Sequence, residues 1–74
     1  MRTRLNEIKR GDEIRIISLP SGGEKSQLIR MGISEGDLVE CVEKMRGGTV
    51  VIKKRRQEIA IGHKLANKIE ISFY

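Results

Sequence analysis

The stretch Leu28–Asp37, "LIRMGISEGD", sets three apolar residues within one helical turn and then two glycines four positions apart. That arrangement limits what a chain of 74 residues can build around it. At about 100° per residue, Leu28, Ile29 and Met31 cover a little under half of a helix circumference. Lys25, Gln27 and Arg30 take the rest, so the pattern predicts a short amphipathic helix. Gly32 falls where the left-handed residue of a helix C-cap belongs, and Ile33 just after it can fold back onto the last apolar turn. Gly36-Asp37 is a turn signal placed directly before the strand-like run "LVECVEKM". Upstream, Ser21 followed by Glu24 has the form of a capping box, in which each side chain satisfies a backbone N–H at the helix start. The segment therefore reads as helix, stop, turn and strand.

The remainder is strands and turns. Leu5 and Ile8 form a single apolar turn suited to covering one end of a barrel, and Gly11-Asp12 marks the next turn. "EIRIIS" follows, with Ile14 and Ile16 on one face and Arg15 on the other, and Pro20 ends the strand because it has no N–H for a ladder. Gly47-Gly48 predicts a hairpin turn leading into Val50, Val51 and Ile52. "EIAI" is another strand with Ile59 and Ile61 on one face. "GHKLANK" is a turn or single helical turn with Leu65 and Ala66 inward, and "IEISFY" alternates Ile69, Ile71 and Phe73 against Glu70 and Ser72. About five strands, with one short helix between the first and second, predict a mainly β single domain over residues 1–74, built as a small, partly open barrel. Phe73 and Tyr74 are the only aromatic residues, so its core must be aliphatic.

Several function classes fall on inventory. A chain this short buries only roughly 60% of its unfolded surface, which leaves little room for a deep pocket. One cysteine, Cys41, cannot form an internal disulfide and fits a reducing compartment. Cys41 and His63 are the only soft metal ligands, whereas a structural zinc site takes four; Cys41 reads as a core residue and His63 as a surface one. One His and one Cys without a partner motif support no nucleophilic centre, and "SGGEK" lacks the spacing of a phosphate loop. No catalytic residue, metal ligand or cofactor is expected. No apolar run approaches the roughly 20 residues needed to cross a bilayer, and "MRTRLNEIKRGDE" has no secretory apolar segment.

The residues also resemble a known family. Leu28, Met31, Gly32, Ile33 and Gly36 match its leucine followed by Met-Gly-hydrophobic-x-x-Gly. Ile59-Ala60-Ile61 and Ala66 match its Ile-Ala-Leu strand with a following alanine-containing helical turn. With Leu5, Ile8, Gly11, the Ile14–Ile17 strand, the Gly47-Gly48 turn and Ile69, the likeness to FeoA proteins of bacterial ferrous-iron uptake spans about residues 5 to 71. It implies an SH3-like barrel, no catalysis, a cytoplasmic location, and association with the membrane transporter FeoB, which carries a cytoplasmic G-protein domain. Two departures stand out: Gly62 where the family often has Arg, and "KKRRQ" where it commonly has a hairpin glycine.

The candidate partner contacts are Arg30, Met31 and Ser34 around the helix end, and Lys54 and Arg55 in the basic run Lys53–Arg56. Alternation would send two of those four cations to each face, which a small barrel cannot bury, so the run is expected at an exposed hairpin end. Arg2, Arg4, Lys9 and Arg10 make a sparser basic group. The rival reading is an SH3-like, KOW-type nucleic-acid module, because "RGDEIRIIS" resembles the opening of such segments and the net charge is +5. Against it, a helix and connector interrupt the short loop a KOW segment would have, and no aromatic platform exists for base stacking. No nucleic acid is therefore expected as a partner. A detached copy of the SH3-like domain of iron-dependent repressors is a third reading, here without a helix-turn-helix segment. Self-association through an open strand edge is compatible with all three.

Overall fold

The computed structural model describes residues 3–74, so Arg2 of the sparser basic group lies outside the described residues. Strand β1 (Thr3–Arg4) leads into a 3-10 turn at Leu5–Glu7. Then come β2 (Glu13–Ser18), α1 (Gly23–Met31), β3 (Leu38–Lys44), β4 (Val50–Lys54), β5 (Gln57–Ile61), α2 (His63–Ala66) and β6 (Glu70–Phe73). One antiparallel sheet runs β1-β6-β2-β3-β4-β5. The expected strands and helix are all present. The two-residue β1 adds a sixth strand and the "GHKLANK" turn is helical at α2. The sheet curls without closing, because no pairing joins β5 to β1 among the described residues. Register breaks between Ile16 and Ser18 and between Cys41 and Glu43 supply the sharp bending a small barrel needs.

Alternation makes the interior. Ile14 and Ile16 of β2, Val39 and Cys41 of β3, Val50 and Ile52 of β4, and Ile59 and Ile61 of β5 all point inward and are buried. Leu5 and Ile8 close one end as expected, with Leu28, Ile33, Ala66, Ile69 and Ile71 completing the cluster. The core contains no aromatic residue and, among the described residues, no buried polar or charged one. Phe73 departs from the expected inward alternation and is 56% exposed. It pairs with the buried Ile14 at the last rung of β6.

The helix stops as its sequence predicts. Gly32 adopts φ 104°, ψ 13°; its N–H donates to the Ile29 carbonyl and the Ile33 N–H to the Leu28 carbonyl, both at 3.0 Å. This pair of bonds is the Schellman motif, and its hydrophobic clasp is Leu28 against Ile33, both fully buried. The start differs from expectation. The helix begins at Gly23 behind Gly22 (φ 77°), and no side chain caps it. Glu24, expected to reach back in a capping box with Ser21, instead accepts from Lys68 at 2.9–3.0 Å, because α2 brings an ammonium within reach. Of the apolar stripe only Leu28 is fully buried; Met31 packs on the core edge, and Ile29 is 51% exposed because the helix touches the barrel along one narrow line.

Gly32→Ala meets two penalties: an unfavourable left-handed φ, and a new Cβ only 3.1 Å from Gln57 Oε1. The substitution is expected to cost about 1–2 kcal/mol, seen in thermal melts as a drop of several degrees for a domain of this size.

Candidate functional site

The two groups of candidate contacts, separate in sequence, meet in space at the end of α1. Alternation explains how. Val50 and Ile52 face inward, so Lys54, the next residue in phase, also points inward at the end of β4. Its ammonium emerges beneath the helix connector, donating to the Gly32 carbonyl at 2.8 Å and pairing with Asp37 Oδ2 at 2.8 Å. The Lys54 and Asp37 side chains are only 25% and 17% exposed. Beside them Gln57 Nε2 donates to the Met31 carbonyl at 3.3 Å. The hairpin is thereby fastened to the helix's terminal carbonyls, the groups a helix leaves unsatisfied.

The connector is rigid from its other side as well. Asp37 Oδ2 accepts the Ser34 N–H at 2.7 Å, closing a side-chain turn. The Gly36 N–H donates to the Ile16 carbonyl at 2.7 Å and the Ile16 N–H to the Asp37 carbonyl at 2.8 Å, which lays the connector along β2. Glu35 accepts the Leu19 N–H at 3.1 Å.

On this frame the sequence candidates divide. Arg30 and Ser34 are exposed, Arg30 in the last turn of α1 where a cation suits the helix dipole. Met31 is half-buried, so its backbone carbonyl rather than its side chain carries its polar link. Arg55 is exposed with Arg56 in the turn between β4 and β5. The expectation that the whole run Lys53–Arg56 sits at an exposed hairpin end needs correction. Lys53 and Lys54 belong to β4, opposite Glu58 and Gln57, and only Arg55 and Arg56 form the tip. Lys54 is a structural cation, because Asp37 and the Gly32 carbonyl neutralise and solvate it in place of water. Sequence reading missed Asp37 and Gln57 as parts of this assembly; the in-phase series Val50, Ile52, Lys54 was the available signal. Arg55 has φ 57°, so a non-glycine residue occupies the left-handed region at the tip.

The soft ligands stay apart from chemistry. Cys41 is fully buried in the core, its S–H donating to the Glu43 carbonyl at 3.6 Å, and burial pushes its thiol pKa up against a smaller opposing effect of the Glu43 backbone. His63 is exposed at the start of α2, against Gly48. Among the described residues, no group of three or more His, Cys, Asp or Glu is placed to hold a metal ion. No helix of the described residues is long and apolar enough to cross a membrane.

Two stability outcomes follow. Lys54→Ala is expected to lower unfolding free energy by about 1–2 kcal/mol, since it strips Asp37 and the Gly32 carbonyl of a partly screened partner. Arg56→Ala, at the exposed tip, is expected to change it by less than about 0.5 kcal/mol, and urea melts of the two variants make the comparison. Cys41 is expected to resist alkylation in the native protein, its labelling rate following global unfolding. Because its pKa is raised on folding, its stabilising contribution is full below the unfolded thiol's pKa and declines as pH rises above it.

The comparisons agree with this architecture. The FeoA domain model matches residues 3–72. The crystal structure of an iron uptake regulatory protein (FeoA) is 25% identical with a TM-score of 0.86, covering 100% of this chain and 99% of that one. The solution structure of iron(II) transport protein A from Clostridium thermocellum is 27% identical with a TM-score of 0.87, over 96% of this chain but only 45% of the other. The manganese regulator SloR shares the fold alone, at 15% identity and a TM-score of 0.86, with 34% of its length covered. No curated protein matches the chain. The barrel is SH3-like, as the sequence resemblance implied. With the FeoA model matched from residue 3 to residue 72, the chain belongs to the FeoA family.

Proposed function

We propose that this protein is a non-enzymatic accessory of bacterial ferrous-iron uptake, acting from the cytoplasm by docking on the cytoplasmic part of a FeoB-type membrane transporter. The observation that carries the reading is the FeoA match along nearly the whole chain, 3–72. The geometry supports a docking role. Arg30, Ile29 and Ser34 are exposed around a connector held by Asp37 and Lys54, and Arg55 and Arg56 project from the hairpin fastened to it. A surface fixed in advance loses less freedom on binding than a mobile one. Exposed Ile29 offers apolar contact and the exposed arginines positive charge, suited to an acidic patch on the partner. Docking changes transport only if it favours one state of the G domain or gate, which requires tighter binding to that state.

The test is an NMR titration of labelled protein with the purified cytoplasmic domains of a cognate transporter, repeated with generic RNA. Shifts localised to Ile29, Arg30, Ser34 and Arg55 that survive physiological salt are the expected result. Combining Arg30→Glu with Arg55→Glu should weaken binding at least about tenfold, or roughly 1.4 kcal/mol, with the thermal midpoint unchanged. Silence with the transporter domains, alongside salt-sensitive shifts at Lys53–Arg56 on adding RNA, would transfer the protein to the nucleic-acid reading.

A further inference from the structure

A cleft of about 240 Å³ lies over β2, β3 and β4, lined by Glu13, Leu38, Glu40, Lys53, Arg55 and Tyr74 among others. Pockets that engulf a small molecule run from roughly 300 to 1,000 Å³, so this one suits a side chain or two of a protein rather than a cofactor. The sheet register fixes its layout. Glu13 stands opposite Glu40, and Glu40 opposite Lys53. The Tyr74 N–H donates to the Glu13 carbonyl at 2.9 Å, which brings Tyr74 alongside. Arg55 follows Lys53 in phase, at the hairpin tip. Two carboxylates thus occupy one side and two cations the other, with exposed Leu38 and Tyr74 as the apolar surface.

Two features here cost the isolated fold stability. Like charges directly opposite on neighbouring strands are unfavourable, which describes Glu13 and Glu40. Arg55 holds its guanidinium at the cleft with a φ of 57° that glycine would adopt more easily. Among the described residues, the side chains of Glu13, Glu40, Lys53 and Arg55 form no hydrogen bond or ion pair, whereas Lys54, Asp37, Glu24 and Lys68 are all paired.

We propose that this cleft receives an extended protein segment in which a basic and an acidic side chain stand two residues apart and so face the cleft together. The basic group lies between Glu13 and Glu40, the carboxylate on Lys53 and Arg55, and Leu38 and Tyr74 offer apolar contact to their stems. A uniformly anionic surface would meet Glu13 and Glu40, and a uniformly basic segment would meet Lys53 and Arg55; charge complementarity selects the mixed sequence. This rests on the docking reading above in taking the occupant to be a protein, but it concerns the sheet face and requires no particular transporter.

The test uses the labelled full chain and three terminally blocked peptides at millimolar concentration, with Arg-Leu-Asp, Arg-Leu-Arg or Asp-Leu-Asp between glycines. The Arg-Leu-Asp peptide is expected to shift Leu38, Glu40 and Lys53 and to bind at least about tenfold tighter than the other two. Glu40→Gln should weaken it severalfold. Arg55→Gly should do the same while keeping or raising the thermal midpoint, a split that a purely structural arginine would not produce. Equal shifts from all three peptides, or none at the cleft, overturn the proposal. Stronger shifts at Lys53 and Arg55 from phosphatidylglycerol vesicles overturn it in favour of a lipid surface. Transporter domains that bind while the peptides fail defeat this inference alone, and the reverse result defeats only the docking reading.

Discussion

A single carboxylate oxygen, Asp37 Oδ2, accepts both the Ser34 N–H and the Lys54 ammonium, and so joins the helix connector to the β4–β5 hairpin. Neither piece is secured by the core alone. The helix sinks only Leu28 fully into the barrel, and the connector between Ser34 and Asp37 contributes no fully buried side chain. Beside the buried Leu28–Ile33 clasp, polar groups join the two pieces: a carboxylate, an ammonium and the carbonyls that a helix leaves unpaired. These contacts are partly exposed, so each is modest, but they share atoms and therefore form a network that acts together.

The charges of the chain fall into two populations. Some are tied down in the service of the fold, as Lys68 is to Glu24 and Lys54 to Asp37. Others among the described residues remain unpaired, and four of them, Glu13, Glu40, Lys53 and Arg55, line the cleft over strands β2 to β4. With an interior that is entirely aliphatic apart from one thiol, the barrel gains nothing from these unpaired charges in its own packing. Their effect is on what approaches: they set the sign pattern a partner encounters, which governs encounter rate and discrimination more than raw affinity.

Much of the fold was legible because the chain speaks in short, consistent local signals. The run Leu28–Asp37 yields its helix stop and turn directly, since Gly32 takes the one conformation that only glycine adopts cheaply and Ile33 returns to the core. Alternating isoleucines placed the strands for the same reason. The failures share a cause: they concern polar groups whose partners lie far along the chain. Glu24 had a plausible local partner in Ser21 and found Lys68 instead. Lys54 looked too costly to turn inward, and it turns inward because Asp37 waits there. Of the candidate residues, the exposure of Arg30, Ser34 and Arg55 was readable, while the bonds that join the connector to the hairpin through Lys54 and Asp37 were not.

The position of β6 has a consequence for how the molecule comes into being. Strand β6 lies between β1 and β2, pairing Ile71 with Thr3 on one side and with Ile16 on the other. Until β6 is in place, the first strands lack the neighbour that joins them, and the Leu5 N–H lacks its acceptor on Ile69. The chain can shape the β3–β4–β5 meander early, since its pairings are local, but the barrel waits for β6. Assembly therefore depends on a strand far along the chain threading the first two together, and a chain cut short before residue 70 is left with β1 parted from the β2–β5 sheet.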